Sequence, residues 1–369
     1  MATQSVPATC IALVIQTENC TNQEHPDPCS TTAEYIMYMY VFSVISYSGI
    51  VLNVLNLVIF TRPGFRMNKT TLTFLTALAF FDLGYLATAA GIAIVRCVPP
   101  RQTWQLYFGS YFEVYIYLPI CNSLASASIF LTVVISAERF MSIRQISWMK
   151  TTNRVRWKAV ALVISCLVGG FAMNMSYFFY KEVDENGEMV YTEYGQSEGF
   201  VRYSWARLIL NKIVPIAIII IFNTLLVVAV VRSQRQAKST SDVSSNVSVR
   251  RRRQQTRLTV MMISISFMLA VCHSFEPFAH SGLYRTIFGQ CSTHTTQYQL
   301  VRVVANTLEA LSFASNFIFY CVFNGEFSKR LRLLLCCCLY KRTAPSFPEA
   351  DPGETSVNVI ANAKILEDT

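Results

Sequence analysis

Seven apolar segments run through the sequence, and each is long enough to cross a lipid bilayer as a helix. The composition agrees with this interpretation. Of the 369 residues, 53% are hydrophobic and only 14% are charged, which is too apolar for a soluble domain of this size. We therefore predict an all-α membrane protein built as a seven-transmembrane helix bundle. The predicted spans lie at about 35–60, 70–95, 109–137, 158–179, 207–231, 259–283 and 300–324.

The positions of the basic residues predict the orientation of the chain. Most of the 31 lysines and arginines follow the first, third, fifth and seventh spans, and such an excess marks the cytoplasmic side. The longest of these segments, 232–257, is expected to be a loop. The N-terminus is therefore expected outside the cell and the C-terminus inside, as in a multi-pass plasma-membrane protein. The cytoplasmic segments also explain the formal net charge of +9, so no nucleic-acid partner is expected.

The two ends of the chain differ from the bundle in composition. Residues 1–34 are polar and should form a flexible extracellular segment, with a glycosylation sequon at Asn19. After the spanning region 35–324, residues 325–339 are basic and amphipathic, which predicts a helix on the cytoplasmic lipid surface. Residues 340–369 are rich in proline, serine, threonine and acids, which is typical of a disordered tail.

The cysteines are expected to serve different purposes on the two sides of the membrane. The triplet Cys336-Cys337-Cys338 adjoins the basic amphipathic segment and is predicted to be palmitoylated. Five other cysteines would face the oxidising exterior, where disulfides form. Because five is odd, at least one has no partner within the chain, and the pairing stays open. These disulfide candidates are Cys10, Cys20, Cys29, Cys97 and Cys291.

Polar side chains lie inside several spans, where they are expensive to bury and mark functional sites. The second span carries Asp82. A purely structural role is the weaker alternative for this residue, because a carboxylate costs more to bury than an amide or a hydroxyl. In the seventh span, polar residues recur at spacings of three and four and so share one helix face, which should point into the bundle. These residues are Glu309, Ser312, Asn316 and Tyr320.

A set of short motifs gives the spans a more specific meaning. The pair Glu138-Arg139 closes the third span, and taken alone it would be an interface anchor whose guanidinium reaches toward water. It occurs, however, with other motifs in a fixed order. Together they resemble the motifs of the rhodopsin-like (class A) G-protein-coupled receptors over residues 35–338. The motifs are Asn53, Leu78-Ala79-Phe80-Phe81-Asp82, Glu138-Arg139-Phe140, Pro215 and Asn316-Phe317-Ile318-Phe319-Tyr320.

Within that family, the stretches 54–62, 70–79 and 128–133 are most similar to invertebrate neuropeptide receptors of the FMRFamide and myosuppressin types. The resemblance implies a receptor for an extracellular peptide ligand that activates a heterotrimeric G protein. Ligand binding would favour a state of the bundle in which the sixth span swings outward.

The resemblance also implies roles for individual residues. Arg139, held by Glu138 in the resting state, would act as a cytoplasmic latch. Asp82, Ser128 and Asn316 match positions at which the family binds a sodium ion in the inactive state, and no other cofactor is expected. The further residues implied in the activation switch are Tyr320, Pro215 and Pro277.

Contacts with the ligand are predicted from charge. Glu309 is a lone carboxylate in the outer half of the seventh span, so we expect it to bind a cation such as the arginine of an amidated Arg-Phe peptide. The alternative is an internal ion pair with Arg207, Lys212 or Arg302, and the sequence favours neither. The further ligand-binding candidates are Glu276, Glu113, Tyr115, Tyr117 and Tyr298.

Several features of the family are missing from this sequence, and two of them bear on the predicted site. No cysteine lies near the outer end of the third span or in 180–206, so any disulfide staple must use the cysteines named above. The tryptophan of the sixth span is also absent. Either His273 or Phe275 takes its place, depending on whether Cys272 or Pro277 is aligned with the family motif.

Two other classes of function are less well supported. A seven-span transporter or channel would also bury carboxylates, but the sequence has no inverted repeat and no paired broken helices. An enzyme is not expected, because the chain has no nucleophile elbow, zinc-ligand spacing or phosphate loop.

Overall fold

The computed structural model describes residue 29 and residues 31–65, 67–98, 102–143, 155–239, 246–289, 292–293 and 295–343. Within these ranges the chain is almost entirely helical, and seven long helices match the predicted spans in order. The helices are α1 (Thr32–Thr61), α2 (Lys69–Cys97), α3 (Thr103–Ile143), α4 (Val155–Ala172), α5 (Glu198–Leu208, Ile209–Ile213 and Val214–Ser239), α6 (Asn246–His273), α7 (Thr296–Phe323) and α8 (Gly325–Thr343).

Five of the helices, namely α1, α2, α3, α5 and α6, are long and apolar enough to cross a membrane. Helix α4 contains a shorter apolar segment, Trp157–Ala172. Helix α7 is 28 residues long and carries the predicted polar stripe. Three residues of that stripe, Ser312, Asn316 and Tyr320, are buried. The stripe therefore faces the interior of the bundle, as its spacing predicts.

Helix α4 and the segment between α5 and α6 differ from the prediction. Helix α4 ends at Ala172 and a 3-10 turn, Met175–Phe178, follows, so the fourth span is shorter than expected. The prediction of a loop at 232–257 is wrong over most of that range, because α5 continues to Ser239 and α6 begins at Asn246. Arginine, lysine and glutamine are good helix formers, and a helix that has left the bilayer needs no apolar residues to continue. Hydropathy marks only the part of a helix that lies in lipid.

Helix α6 is interrupted near one end. It stops at His273, and a short helix, Glu276–Ala279, begins after Ser274 and Phe275. Pro277 lies in the first turn of that short helix. A proline has no N–H to donate and restricts the residue before it, so the interruption falls just upstream of Pro277.

Three helices contain π-helical segments: Met37–Phe42 in α1, Phe112–Cys121 in α3 and Ile209–Ile213 in α5. Two of them accompany a proline, since Pro119 lies inside the α3 segment and Pro215 follows the α5 segment. A proline displaces the carbonyl four residues earlier, which favours the wider π turn. Such turns recur at functional sites, and those in α3 and α5 present charged side chains to the site described below.

A small antiparallel hairpin connects α4 to α5 and contains the only strands among the described residues, β1 (Lys181–Val183) and β2 (Met189–Tyr191). The all-α prediction did not include it. The hairpin is held to α3 by hydrogen bonding, because the Ser110 hydroxyl donates to the Gly187 carbonyl oxygen at 2.7 Å. This hydrogen bond joins the same two elements that the disulfide of the family would connect.

Cys29 and Cys97 form a disulfide that joins the segment before α1 to the C-terminal end of α2. The staple thus uses Cys97 and an N-terminal cysteine, two of the five candidates. The other three, Cys10, Cys20 and Cys291, lie outside the described residues.

Replacing either bonded cysteine by serine should lower the free energy of unfolding by about 2–4 kcal/mol, because the disulfide constrains the unfolded chain. The Cys29→Ser/Cys97→Ser double variant should unfold at the same temperature as each single variant, since all three lack the same bond. Thermal unfolding of the purified protein measures this. The free thiol of Cys321 provides the control, and Cys321→Ser should change the midpoint little. A double variant far less stable than either single variant would contradict the assignment.

Candidate functional site

A cavity of about 170 Å³ lies at the end of the bundle that carries the disulfide, which we call the outer end. Of the predicted ligand-binding residues, Tyr117, Glu276 and Glu309 line it. The complete lining is Tyr85, Arg96, Tyr117, Leu118, Cys121, Asn122, Tyr177, Arg207, Leu208, Lys212, Glu276, Ala279, His280, Arg302, Ala305, Asn306 and Glu309.

Three predicted ligand-binding residues are not part of this lining. Glu113 is buried and turned toward Arg96. Tyr298 donates its hydroxyl to the Ala279 carbonyl oxygen at 3.0 Å, and the Tyr115 ring packs beside another aromatic ring of α3. Their predicted contact with a ligand is therefore not supported by their positions in this structure.

One ammonium group and two carboxylates form the deep end of the cavity. The Lys212 Nζ atom, in the π segment of α5, contacts a carboxylate oxygen of Glu276 and lies 3.1 Å from Glu309 Oε1. Tyr85 donates its hydroxyl to Glu309 Oε2 at 2.9 Å. His273 completes the group, with Nδ1 at 2.6 Å from Glu276 Oε1 but without hydrogen-bond alignment. We call these five residues the deep cluster.

Glu309 is therefore not the lone carboxylate that we expected. Of the alternatives, the internal ion pair with Lys212 is the arrangement observed, whereas Arg207 and Arg302 form no salt bridge with Glu309. The physical reason is the cost of a buried charge, which falls only when a partner of opposite sign lies beside it. The partners are 97 residues apart, so the sequence could not select Lys212 from the three candidates.

In the deep cluster two carboxylates share one ammonium, and the His273 imidazole lies beside them. A metal ion is another possible occupant, since ligand atoms of His273, Glu276 and Glu309 all lie within 4.8 Å of one another. Imidazole and carboxylate are ligands that suit zinc. The Lys212 ammonium occupies that space, however, so a metal ion would have to displace it. The arrangement suits a group that carries a single positive charge.

The structure distinguishes the two candidates for the missing tryptophan of the sixth span. His273 is fully buried, and its ring packs edge-on against Phe313 at 5.4 Å between centroids. Phe275 is 48% exposed. His273 is thus the residue that faces the interior below the cavity. His273 and Phe275 differ in burial because α6 is interrupted after His273. This interruption was not predicted from the sequence.

A second buried ion pair joins the outer ends of the helices. Arg96 on α2 binds Glu113 on α3, with 2.6 Å between Nη2 and Oε1. The same guanidinium donates to the Tyr38 hydroxyl of α1 at 2.7 Å, and Asn306 of α7 donates to that hydroxyl at 3.2 Å. Sequence reasoning missed Arg96 and Tyr38. A signal was present, because an arginine at the outer end of a span runs against the cytoplasmic bias of basic residues.

The three candidates for sodium binding lie together in the middle of the bundle, and all are buried. Ser128 donates its hydroxyl to Asp82 Oδ1 at 2.6 Å, and Asn316 donates its amide to Asp82 Oδ2 at 2.6 Å. Phe313 adds no oxygen and instead packs on Tyr85 with 4.5 Å between ring centroids. Asp82 and Ser128 supply oxygen atoms that suit a hard cation, and Asn316 would turn its amide oxygen inward to add another.

The predicted latch residues meet at the opposite end of the bundle, which we call the cytoplasmic end. Arg139 is 8% exposed, and its Nε atom lies 2.7 Å from Glu138 Oε2. The guanidinium also donates to the Thr71 hydroxyl of α2. Ser136 and Ser266 share a hydrogen bond of 3.2 Å, which connects α3 to α6. In this arrangement Arg139 is held by α3 and α2.

The other predicted switch residues are also buried or lie at helix irregularities. Tyr320 is fully buried and packs on Phe60 with 5.1 Å between ring centroids. Pro215 is buried in α5, and Pro277 lies in the first turn of the short helix after α6. Their positions leave the predicted roles untested.

The predicted modification sites have no described side chains. Asn19 lies outside the described residues, and so its glycosylation stays a prediction. Cys336-Cys337-Cys338 belong to α8, but their side chains lie outside the description. Palmitoylation of the triplet stays a prediction as well.

Comparison with known proteins gives a consistent result. Residues 52–318 match the family model of the 7 transmembrane receptor (rhodopsin family). A probable G-protein-coupled receptor of Caenorhabditis elegans is 22% identical over 83% of this chain and 70% of its own. Galanin receptor 2a of Danio rerio is 22% identical over 91% of this chain and 88% of its own. The FMRFamide receptor of Drosophila melanogaster is 23% identical over 86% of this chain and 57% of its own.

A solved structure shows the same fold. Squid rhodopsin superposes with a TM-score of 0.62 over 87% of this chain and 93% of its own, at 14% sequence identity. The described part of this chain therefore has the fold of rhodopsin.

Replacing Lys212 by methionine should lower the free energy of unfolding by about 3–5 kcal/mol, because it leaves two buried carboxylates without their cation. A second substitution in the same chain, Glu309→Gln, should recover part of that loss by removing one of the unbalanced charges. Thermal unfolding of the purified protein in lipid nanodiscs measures both effects. The control is Arg202→Gln, since Arg202 pairs with Glu198 on the exposed surface of the same helix. A Lys212→Met protein that unfolds at the wild-type temperature would contradict this account.

Proposed function

The chain belongs to the rhodopsin family of seven-transmembrane receptors, whose model covers residues 52–318, and on that premise we propose that it binds a peptide in the outer cavity. It is a G-protein-coupled receptor that crosses its membrane several times. The proteins of this family and fold are receptors and not enzymes. Nothing in the comparisons favours the alternative of a transporter or channel.

Two relatives support a peptide as the ligand, since their names specify galanin and FMRFamide. The lining of the cavity also favours a peptide ligand, because charged and aromatic groups of a peptide can bind the charged and aromatic side chains that line the cavity. The N-terminus would be extracellular. The Cys29–Cys97 disulfide supports this orientation, because such bonds persist in an oxidising compartment.

The deep cluster carries the proposal most directly. Glu276 and Glu309 share the single ammonium of Lys212, so a guanidinium or ammonium group of the ligand would find two carboxyl groups with one cationic partner between them. An amidated peptide that contains arginine, of the FMRFamide type, offers such a group, and Tyr117 offers it an aromatic ring.

The same contact suggests how binding reaches the cytoplasmic end. Lys212 on α5 contacts Glu276 just after α6 and Glu309 on α7. A ligand cation that competes for these carboxylates would weaken the tie between α5 and α6. The bundle would then shift toward a state in which α6 moves outward, breaking the Ser136–Ser266 bond. A heterotrimeric G protein would bind at the cytoplasmic end once Arg139 leaves Glu138.

Sodium binding by Asp82, Ser128 and Asn316 is part of the proposal. The ion would lie against the Asp82 carboxylate, whose oxygens already accept two hydrogen bonds of 2.6 Å. It would neutralise that carboxylate in the inactive state.

A library of neuropeptides, applied to cells that express the receptor, tests the proposed function through second-messenger release. For an arginine-containing peptide that activates the wild type, Glu309→Gln should raise the half-maximal concentration at least about 30-fold, because a buried charge pair is worth about 2–5 kcal/mol. Glu198→Gln removes an exposed carboxylate and serves as the control. A normal dose response of Glu309→Gln at equal surface expression would exclude this residue from the binding site.

Glu138→Gln should raise signalling in the absence of ligand, because the amide holds the Arg139 guanidinium less tightly than the carboxylate does. The effect should be a several-fold rise in basal second messenger at matched surface expression. Unchanged basal activity would contradict the latch.

A further inference from the structure

Within the part of the chain that the structure describes, two arginines in the wall of the outer cavity have no carboxylate in a salt bridge with them. Arg207 on α5 and Arg302 on α7 both line the cavity, and neither forms a salt bridge with any described residue. The Arg207 Nε atom is buried and makes no hydrogen bond, and the guanidinium lies 4.7 Å from the centre of the Tyr177 ring. Arg302 donates to the side-chain oxygen of Gln299 at 3.2 Å. No described carboxylate therefore lies within salt-bridge distance of either guanidinium.

The described carboxylates near the cavity are already engaged by other cations. Glu113 binds Arg96, and Glu276 and Glu309 share Lys212. A partly buried guanidinium without an anion is costly, so an anion that enters the cavity is stabilised there.

The simpler alternative is that water and aromatic rings alone stabilise the guanidinium charges of both arginines. An arginine over an aromatic face gains only about 0.5–2 kcal/mol. An aromatic face supplies no hydrogen-bond acceptor in the guanidinium plane, and the buried Arg207 Nε atom makes no hydrogen bond. Two such side chains in one cavity wall favour a shared anionic ligand group.

The spacing along α7 relates this wall to the deep cluster. Arg302 and Glu309 are two helical turns apart, about 10 Å along the axis and on the same face. About three residues of an extended peptide cover that distance. One ligand can thus place an anion at Arg302 and a cation at Glu309.

We propose that Arg207 and Arg302 form an anion subsite, which binds a carboxylate of the peptide about three residues from the cationic group that reaches the deep cluster. This inference rests on the proposed function as a peptide receptor. The carboxylate belongs either to an aspartate or glutamate side chain or to the C-terminus of the peptide.

Affinity selection with synthetic peptides tests the subsite. Purified receptor in nanodiscs is incubated with two pools of random eight-residue peptides, one amidated at the C-terminus and one with a free carboxylate. Bound peptides are identified by mass spectrometry. The receptors compared are the wild type, Arg207→Gln/Arg302→Gln, and the control Arg202→Gln, which removes an exposed guanidinium from α5. An Arg207→Lys/Arg302→Lys variant keeps both charges and checks that the wall still folds.

We expect the wild type to enrich aspartate and glutamate in the amidated pool. Replacing the aspartate of an individual acidic peptide by asparagine should weaken its binding to the wild type at least about tenfold. The unchanged acidic peptide should bind the double glutamine variant equally weakly. Arg202→Gln and the double lysine variant should retain the preference. A second outcome is that acidic side chains are enriched in neither pool while peptides with a free C-terminal carboxylate bind the wild type and not the double glutamine variant. In that case the subsite binds the C-terminal carboxylate.

The failures of the two proposals are distinguishable. Peptides that bind the wild type with no dependence on a carboxylate, or that bind the double glutamine variant equally well, would overturn the anion subsite alone. If no peptide of either pool binds above empty nanodiscs, the proposed peptide receptor fails and the subsite fails with it.

Discussion

Every charge that lies inside a membrane-spanning bundle needs a partner, because neither lipid nor a packed interior solvates it. This constraint accounts for the most distinctive contacts of the outer end. Lys212 contacts two carboxylates from other segments, Glu276 and Glu309, and Arg96 binds Glu113. Each contact joins different helices, so the charges that would destabilise a single helix hold several helices together.

The backbone supplies the positions for these partners. Lys212 lies in the π segment before Pro215, and Glu113 lies in the π segment that contains Pro119. Glu276 begins the short helix that follows the interruption of α6. A regular helix repeats its side-chain directions every few residues, whereas a wider turn or a break rotates the following side chains. The irregular turns thus place Lys212 and Glu276 in the cavity wall and Glu113 against Arg96, which also lines the cavity.

Much of the fold follows from the sequence, because hydropathy locates spans and helical spacing selects the inward face of α7. The approach of Asp82, Ser128 and Asn316 also agrees with their family positions. Contacts between distant residues could not be read in the same way, since Lys212 and Glu309 are 97 residues apart and three cations were candidates for the pair. The break after His273 was also not predicted, for a different reason, because a proline permits a kink in a membrane helix without requiring the helix to stop.

The central claim is that the deep cluster ties α6 to α5 and so restrains the cytoplasmic end of α6. Spin labels attached at Ile143 on α3 and Arg257 on α6 report that restraint as a distribution of distances. In Glu276→Gln the neutral amide should hold Lys212 less firmly, and the distribution should gain a longer-distance population without any ligand. A distribution identical to that of the wild type, in a variant that folds normally, would contradict the account.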